Sequence, residues 1–188
     1  LLKDKLNEQI SSKKFTLIEN PHIKEHPYFY RAFDDEGVAT YNKPIIKNGV
    51  LQTYLHNLTT AAKSGETTTG NGYMGGGKIG VASSFLSLKP GKKSKEQLFE
   101  NVHDGIYITG VQGLHAGMNP QSGNFSLQAN GFMIENGQKG RPVELITISG
   151  NILDLFNDVV AVGSDTELKL SGVSCSSIQL KKIAVSGK

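Results

Sequence analysis

From Gly105 to Gly137 the chain reads GIYITGVQGLHAGMNPQSGNFSLQANGFMIENG. Apolar residues alternate at Ile106, Ile108 and Val111, and after a polar, glycine-rich stretch they alternate again at Phe125, Leu127 and Ala129, ending at Asn136-Gly137. Period-two alternation sends one side of each run into a core, so the segment predicts two strands flanking a long loop. A loop longer than a turn requires, carried on a rigid sheet, is where binding groups gather. The candidate site therefore begins here.

The remaining chain supplies the rest of a β-rich domain. Leu2, Leu6 and Ile10 recur at a spacing of four and predict the end of a helix. Lys14 to Glu19 reads as a strand. Arg31 to Leu58 reads as further strands, with turns at Asp35-Glu36-Gly37, Lys43-Pro44 and Lys47-Asn48-Gly49. Ala61 to Gly80 is rich in glycine and threonine and predicts a loop, followed by a strand over Val81 to Leu88. Ser94-x-x-Gln97 is a capping box opening a helix over Ser94 to His103, with Leu98, Phe99 and Val102 on its buried side. Pro142 to Ser149 is a strand, Asn151 to Asp158 a short helix, and VVAV and the tail SIQLKKIAVSG are strands. The expected class is α+β, β-dominated: an antiparallel curved sheet or barrel-like domain with one or two short helices.

At 188 residues one core is favoured, and the Leu1-Leu2 start without methionine reads as a piece of a longer protein whose N-terminal domain is missing. A net charge of +3 is far from that of an obligate nucleic-acid binder, so nucleic acid is not an expected partner. A single cysteine allows no internal disulfide, no signal peptide opens the chain, and every apolar run is too short for a membrane helix. The expected setting is cytoplasmic.

Four patterns resemble chemical motifs. His22, Glu25 and His26 fit the H-x-x-E-H zinc spacing, which needs both histidines on one helical face. Pro27 pushes His26 off helical geometry, and the favoured reading is a loop. Asp34, Asp35 and Glu36 could hold a hard cation, yet adjacent acids at a turn usually diverge. Gly72-x4-Gly77-Lys78 is one residue short of a phosphate loop, with Ile79 where a Ser or Thr should hold magnesium. Cys175 has no recognisable base beside it, and a packed or loop cysteine is favoured.

Several longer motifs stand in one order: FDDEGV (33–38), GVLQTYLHN (49–57), TAAKSG with TTGNGY (60–73), the segment 105–137, and ITISGNILDLFNDVVAVGSD (146–165). Together they resemble the C-terminal half of the TldD/PmbA family, once described as modulators of DNA gyrase, and its PmbA (TldE) branch in particular. The resemblance spans nearly the whole chain, 1–188. It implies a subunit of a cytosolic heterodimeric metalloprotease in which the TldD-type partner carries zinc on an HExxxH helix and a further cysteine. This chain contains no HExxxH, and Cys175 follows Gly172-Val-Ser where the TldD branch has a TGTCGK-like stretch. The resemblance therefore implies no catalytic residue and no zinc in this chain, with zinc in the partner and unfolded peptides as substrates. Met74-Gly75-Gly76-Gly77 also departs from the arginine-containing continuation usual after TGNGY.

On that footing the loop becomes a peptide-binding or interface segment: His115, Asn119, Ser122 and Ser126 as polar groups, Gly117 and Gly123 as points of close backbone approach, and Phe125 beside them. Self-association is left open. Two rivals stand beside this reading. One is a gyrase- or DNA-associated module using Lys89, Lys92, Lys93 and Lys95; the other is an independent zinc hydrolase using His22, Glu25 and His26.

Overall fold

The computed structural model describes residues 1–187. In chain order the first half contains β1 (Leu17–Glu19), β2 (Lys43–Lys47), β3 (Val50–Leu51), α1 (Leu58–Ser64), β4 (Gly72–Gly75), β5 (Lys78–Val81), β6 (Leu86–Leu88) and α2 (Lys95–Val102). The second half contains β7 (Gly105–Gln112), α3 (Leu114–Gly117), β8 (Asn124–Glu135), β9 (Gln138–Asn151) and α4 (Ile152–Asn157). It closes with β10 (Val159–Val162), β11 (Glu167–Lys169), β12 (Val173–Cys175), β13 (Ile178–Leu180) and β14 (Ala184–Ser186).

Two sheets organise these elements. One has the order β11-β12-β6-β1-β2-β3, the other β14-β9-β8-β7, and two-stranded pairs β10-β13 and β4-β5 accompany them. Pairing is antiparallel except between β12 and β6. The strands curve without closing, so of the two expected forms it is the curved sheet that is found. Each large sheet has its own core: Phe15, Ile46, Leu51, Leu88, Val159 and Val162 for the first, and Phe125, Leu127, Ala129, Ile146 and Ile148 for the second.

The period-two reading holds best in the second sheet, where β8 alternates exposed and buried residues from Asn124 to Asn130. Asn136-Gly137 and Asn48-Gly49 both turn with positive φ at both residues, as tight hairpins require. Helix α2 begins with the expected reciprocal bonds between Ser94 and Gln97, and α4 lies where the short helix was expected.

Five expectations are corrected. Residues 1–12 form no helix: Asp4 and Asn7 adopt positive φ, and Asn7 N and Ile10 N donate to Leu51 O and Gly49 O. The spacing of Leu2 and Ile10 reflects packing beside β3, whose backbone takes the bonds a helix would have kept. Lys43-Pro44 is not a turn but the start of β2, and Pro44 falls at a register irregularity against β1 where a missing N–H is tolerated. Within Ala61–Gly80, α1 and the β4-β5 hairpin replace an open loop, and the strand expected over Val81–Leu88 is divided between β5 and β6. The tail is two strands, β13 pairing with β10 and β14 with β9.

Asp165 ties α2 to the strands that follow it. Ser177 Oγ donates to Asp165 Oδ2 at 2.6 Å, and Lys95 Nζ lies 3.4 Å from the same oxygen. Burial alone would raise this carboxyl, but the bonds from Ser177 and Lys95, with its own backbone, hold its pKa below the ordinary value. A depressed carboxylate stabilises the fold above its unfolded pKa and loses that stabilisation as pH falls through the folded value. Asp165→Asn is therefore expected to flatten the stability decline below about pH 4, measured as urea midpoints against pH.

Candidate functional site

The loop between β7 and β8 is built from its own polar groups. Gly113 takes φ +78 and starts α3, whose closing residue Gly117 donates N–H to Gly113 O at 2.7 Å. Asn119 Oδ1 accepts from Gln121 N at 2.9 Å and Ser122 N at 3.0 Å, and Gly123 N donates to Asn119 O at 2.8 Å. The loop is thus a bonded turn set on the end of the β8-β9 ladder. Asn151 Nδ2 donates to Ser122 O and to Asn124 Oδ1, both at 2.9 Å, and Ile152 N donates to Gly123 O. The first residues of α4 thereby fix the loop's base.

A hollow of about 620 Å³ lies on this loop, lined by residues 116–121 and 124–126. Of the residues singled out in the sequence, Gly117, Asn119, Phe125 and Ser126 line it. Phe125 is buried, packing in the core beneath while contributing to the wall. Asn119 and Ser122 have exposed side chains that mainly hold the loop together. Gly123 is buried with φ +77. His115 and Ser126 are exposed, His115 on α3 and Ser126 on β8 facing away from the core. Met118, unremarked in the sequence, bridges to Phe125 and packs on the second core. Its apolar side chain in a polar stretch was the available signal.

The three acids at the 34–36 turn each serve backbone. Asp34 Oδ1 accepts from Glu36 N and Val38 N, and its Oδ2 from Gly72 N at 2.8 Å. Asp35 Oδ2 accepts from Met74 N at 2.6 Å, and Glu36 Oε2 from Leu58 N at 2.8 Å at the start of α1. Their carboxylates diverge onto three segments. Gly72 to Lys78, the near phosphate-loop match, is the β4-β5 hairpin and opens no helix.

Behind that turn lies an ion pair sealed from solvent. Glu19 and Lys43 are 1% and 3% exposed, with Glu19 Oε2 2.8 Å from Lys43 Nζ in a contact of charge without hydrogen-bond alignment. Glu19 Oε1 accepts from Asn71 Nδ2 at 2.8 Å and Ser84 N at 3.0 Å, and Lys43 Nζ donates to Tyr41 O at 3.1 Å. Thr69 Oγ1 donates to Asn71 Oδ1.

The H-x-x-E-H residues form no common site. The His22 ring stacks on Tyr30 and meets Thr40 Oγ1 at 3.0 Å, whereas the His26 ring lies beside Phe85 and precedes a short turn of 3-10 helix. Cys175 lies in β12, half-buried against the first core. Among the described residues no three His, Cys, Asp or Glu side chains converge as a metal site. In the basic turn Lys89, Lys92 and Lys93 are exposed, while Lys95 is engaged with Asp165. Among the described residues no helix is long and apolar enough to cross a membrane.

The family described as the PmbA/TldA metallopeptidase C-terminal domain matches residues 1–187. Metalloprotease PmbA of Escherichia coli O157:H7 is 33% identical over 100% of this chain and 39% of its own length. A PmbA homolog from Buchnera aphidicola is 35% identical over 97% of this chain and 38% of its own. The chain thus spans about two fifths of the length of these relatives. Among solved structures, a Thermotoga maritima protein described as a candidate modulator of a DNA gyrase superposes with TM-score 0.91 at 42% identity, covering 98% of this chain and 42% of that one. TldE from Thermococcus kodakarensis superposes with TM-score 0.89 at 26% identity, covering 99% and 42%.

Proposed function

Because the chain belongs to the PmbA/TldD metallopeptidase family, we propose that it is the C-terminal domain of a TldE-type, non-catalytic subunit in a TldD/TldE-type zinc metalloprotease. In this role it lines the chamber that receives unfolded peptide and contributes to the interface with a TldD-type partner, in the cytoplasm. The observation that carries the reading is the superposition on TldE over 99% of the chain. The scattered positions of His22, His26 and Cys175 agree with zinc being held by the partner. Zinc held there would supply Lewis-acid activation for peptide hydrolysis.

The hollow on the 113–126 loop is the natural peptide wall in this reading. It is preformed by the Asn119 and Asn151 bonds, so ordering it costs little when a peptide arrives. Gly117 keeps the wall free of a side chain where α3 meets β8, and His115 and Ser126 offer exposed polar groups to an extended chain.

The test is co-purification of the full-length parent with a TldD-type chain from the same cell, followed by a peptidase assay with each alone and both together. Activity is expected only when both are present. Hydrolysis by the parent alone would overturn the dependent-subunit reading. A gyrase- or DNA-associated role draws support from the description of the Thermotoga relative. It predicts salt-dependent DNA binding that is lost when Lys89, Lys92 and Lys93 are neutralised.

A further inference from the structure

A second hollow, of about 630 Å³, lies away from the loop, where α2 crosses β7 and the start of β9. Its floor is aromatic: Phe99 and Tyr107 meet with ring centroids 5.1 Å apart and planes inclined by 60°. Lys95, on the first turn of α2, points its ammonium toward Tyr107 and Asp165. Lys139 stands on β9 with its ammonium 3.5 Å above the Phe132 ring, and Gln138 precedes it. Glu100 supplies a carboxylate from the helix side, and Glu100, Gln138 and Lys139 are all exposed to an incoming ligand.

The walls are fixed independently of any ligand. At the end of α2, His103 adopts φ 63 and ψ −66, a strained conformation for a residue with a side chain. That geometry lets His103 O accept from Gly137 N at 2.7 Å, while Asp104 Oδ1 accepts from Asn136 N at 3.0 Å. Gly137 is needed for this approach, since a Cβ there would lie 3.0 Å from Glu100 Cα. At the other end the Lys95–Asp165 contact anchors the helix start. Contacts at both ends therefore fix α2 in place.

We infer that this hollow binds a short zwitterionic peptide of dipeptide length, with an aromatic or aliphatic side chain on the Phe99–Tyr107 floor, the carboxylate at Lys139 and Gln138, and the ammonium at Glu100. Charge complementarity selects this ligand class. The lining carries both signs, Glu96 and Glu100 on the α2 wall facing Lys139 on the β9 wall, with Lys95 engaged by Asp165, which disfavours a simple anion or cation and suits a molecule carrying both. The choice of a peptide as the zwitterion rests on the protease reading, and its short products are the ligands of that class at hand. The site lies outside the 113–126 wall and shares no lining residue with it.

The test is calorimetric titration of the full-length parent with the dipeptide Ala-Phe, N-acetyl-Ala-Phe and Ala-Phe amide, repeated with Glu100→Gln and Lys139→Gln. Saturable binding of Ala-Phe is expected, weakened about fivefold or more by either cap and by either substitution. Glu100→Gln should leave the acetylated peptide unaffected, and Lys139→Gln the amide, because each variant removes a contact the cap has already lost. Absence of saturable heat up to roughly 10 mM Ala-Phe, or binding indifferent to both substitutions, would overturn the inference. Peptidase activity requiring both subunits would then leave the functional proposal standing. Dipeptide binding with no activity in the reconstituted pair would separate the two in the other direction.

Discussion

Lys43→Met is expected to destabilise the fold by about 3–5 kcal/mol, which for a chain of this size lowers Tm by roughly 10 °C. The substituted side chain is close in volume, so the effect is mainly electrostatic. Glu19 would keep its buried carboxylate with bonds from Asn71 and Ser84 but with no countercharge. Thermal and urea unfolding measure it. Adding Glu19→Met to Lys43→Met removes the orphaned charge and should recover part of the loss. Recovery stops short of complete because Asn71 Nδ2 and Ser84 N then lose their acceptor. A cost below about 1 kcal/mol for Lys43→Met would show that the pair behaves as a solvated surface bridge.

The same kind of pairing explains what the polar segments of this chain do physically. FDDEGV and TTGNGY carry the residue types of metal and nucleotide sites, and their polar atoms are spent on one another. Asp34 holds Gly72 N, Asp35 holds Met74 N, and Asn71 spans Glu19 and Ala82 O. Buried polar groups must find partners, and here the sequence places those partners 11 to 65 residues apart. No local pattern reveals such pairings.

Where information was local, the sequence was readable. The β7, β8 and β9 strands, both Asn-Gly turns and the Ser94 cap of α2 follow from alternation, left-handed residues and reciprocal capping. Helix α1 was missed: Asn57 and Thr60 form a capping box and Gly65 closes the helix with φ +69, but the surrounding threonines and glycines mask a seven-residue helix. The N-terminal segment failed for the opposite reason. Its four-residue spacing is helical, and tertiary bonds to β3 override it. The site divides likewise: the 113–126 loop is one continuous segment and was visible, but Asn119 and Ser122 turned out to hold the loop's own backbone. The hollow under α2 combines residues near 95–100, 107 and 138–139, so spacing could not have disclosed it.

Gly117→Ala is expected to lower peptidase activity of the reconstituted pair by about tenfold or more, while reducing stability by about 1–3 kcal/mol. A methyl at this position would fall well inside contact distance of Ser126 O and press on Leu127 Cδ2. Interiors do not absorb such an overlap, so α3 must lift from β8 by most of an ångström and carry Met118 and Asn119 with it. The Met118–Phe125 bridge is the first connection to weaken, and it forms the inner wall of the hollow. Stability loss and wall displacement are separable by a remote control. Ser94→Ala removes the α2 cap at a cost of about 1 kcal/mol without touching the loop, and it should retain activity when assayed well below Tm. His115→Ala provides the complementary measurement, because the side chain is exposed and its removal should leave Tm unchanged. A severalfold rise in KM with constant kcat would mark His115 as a residue that binds peptide without acting on the scissile bond. If Gly117→Ala lowers Tm and leaves KM and kcat unchanged, the loop is structural and the peptide wall lies elsewhere on the subunit.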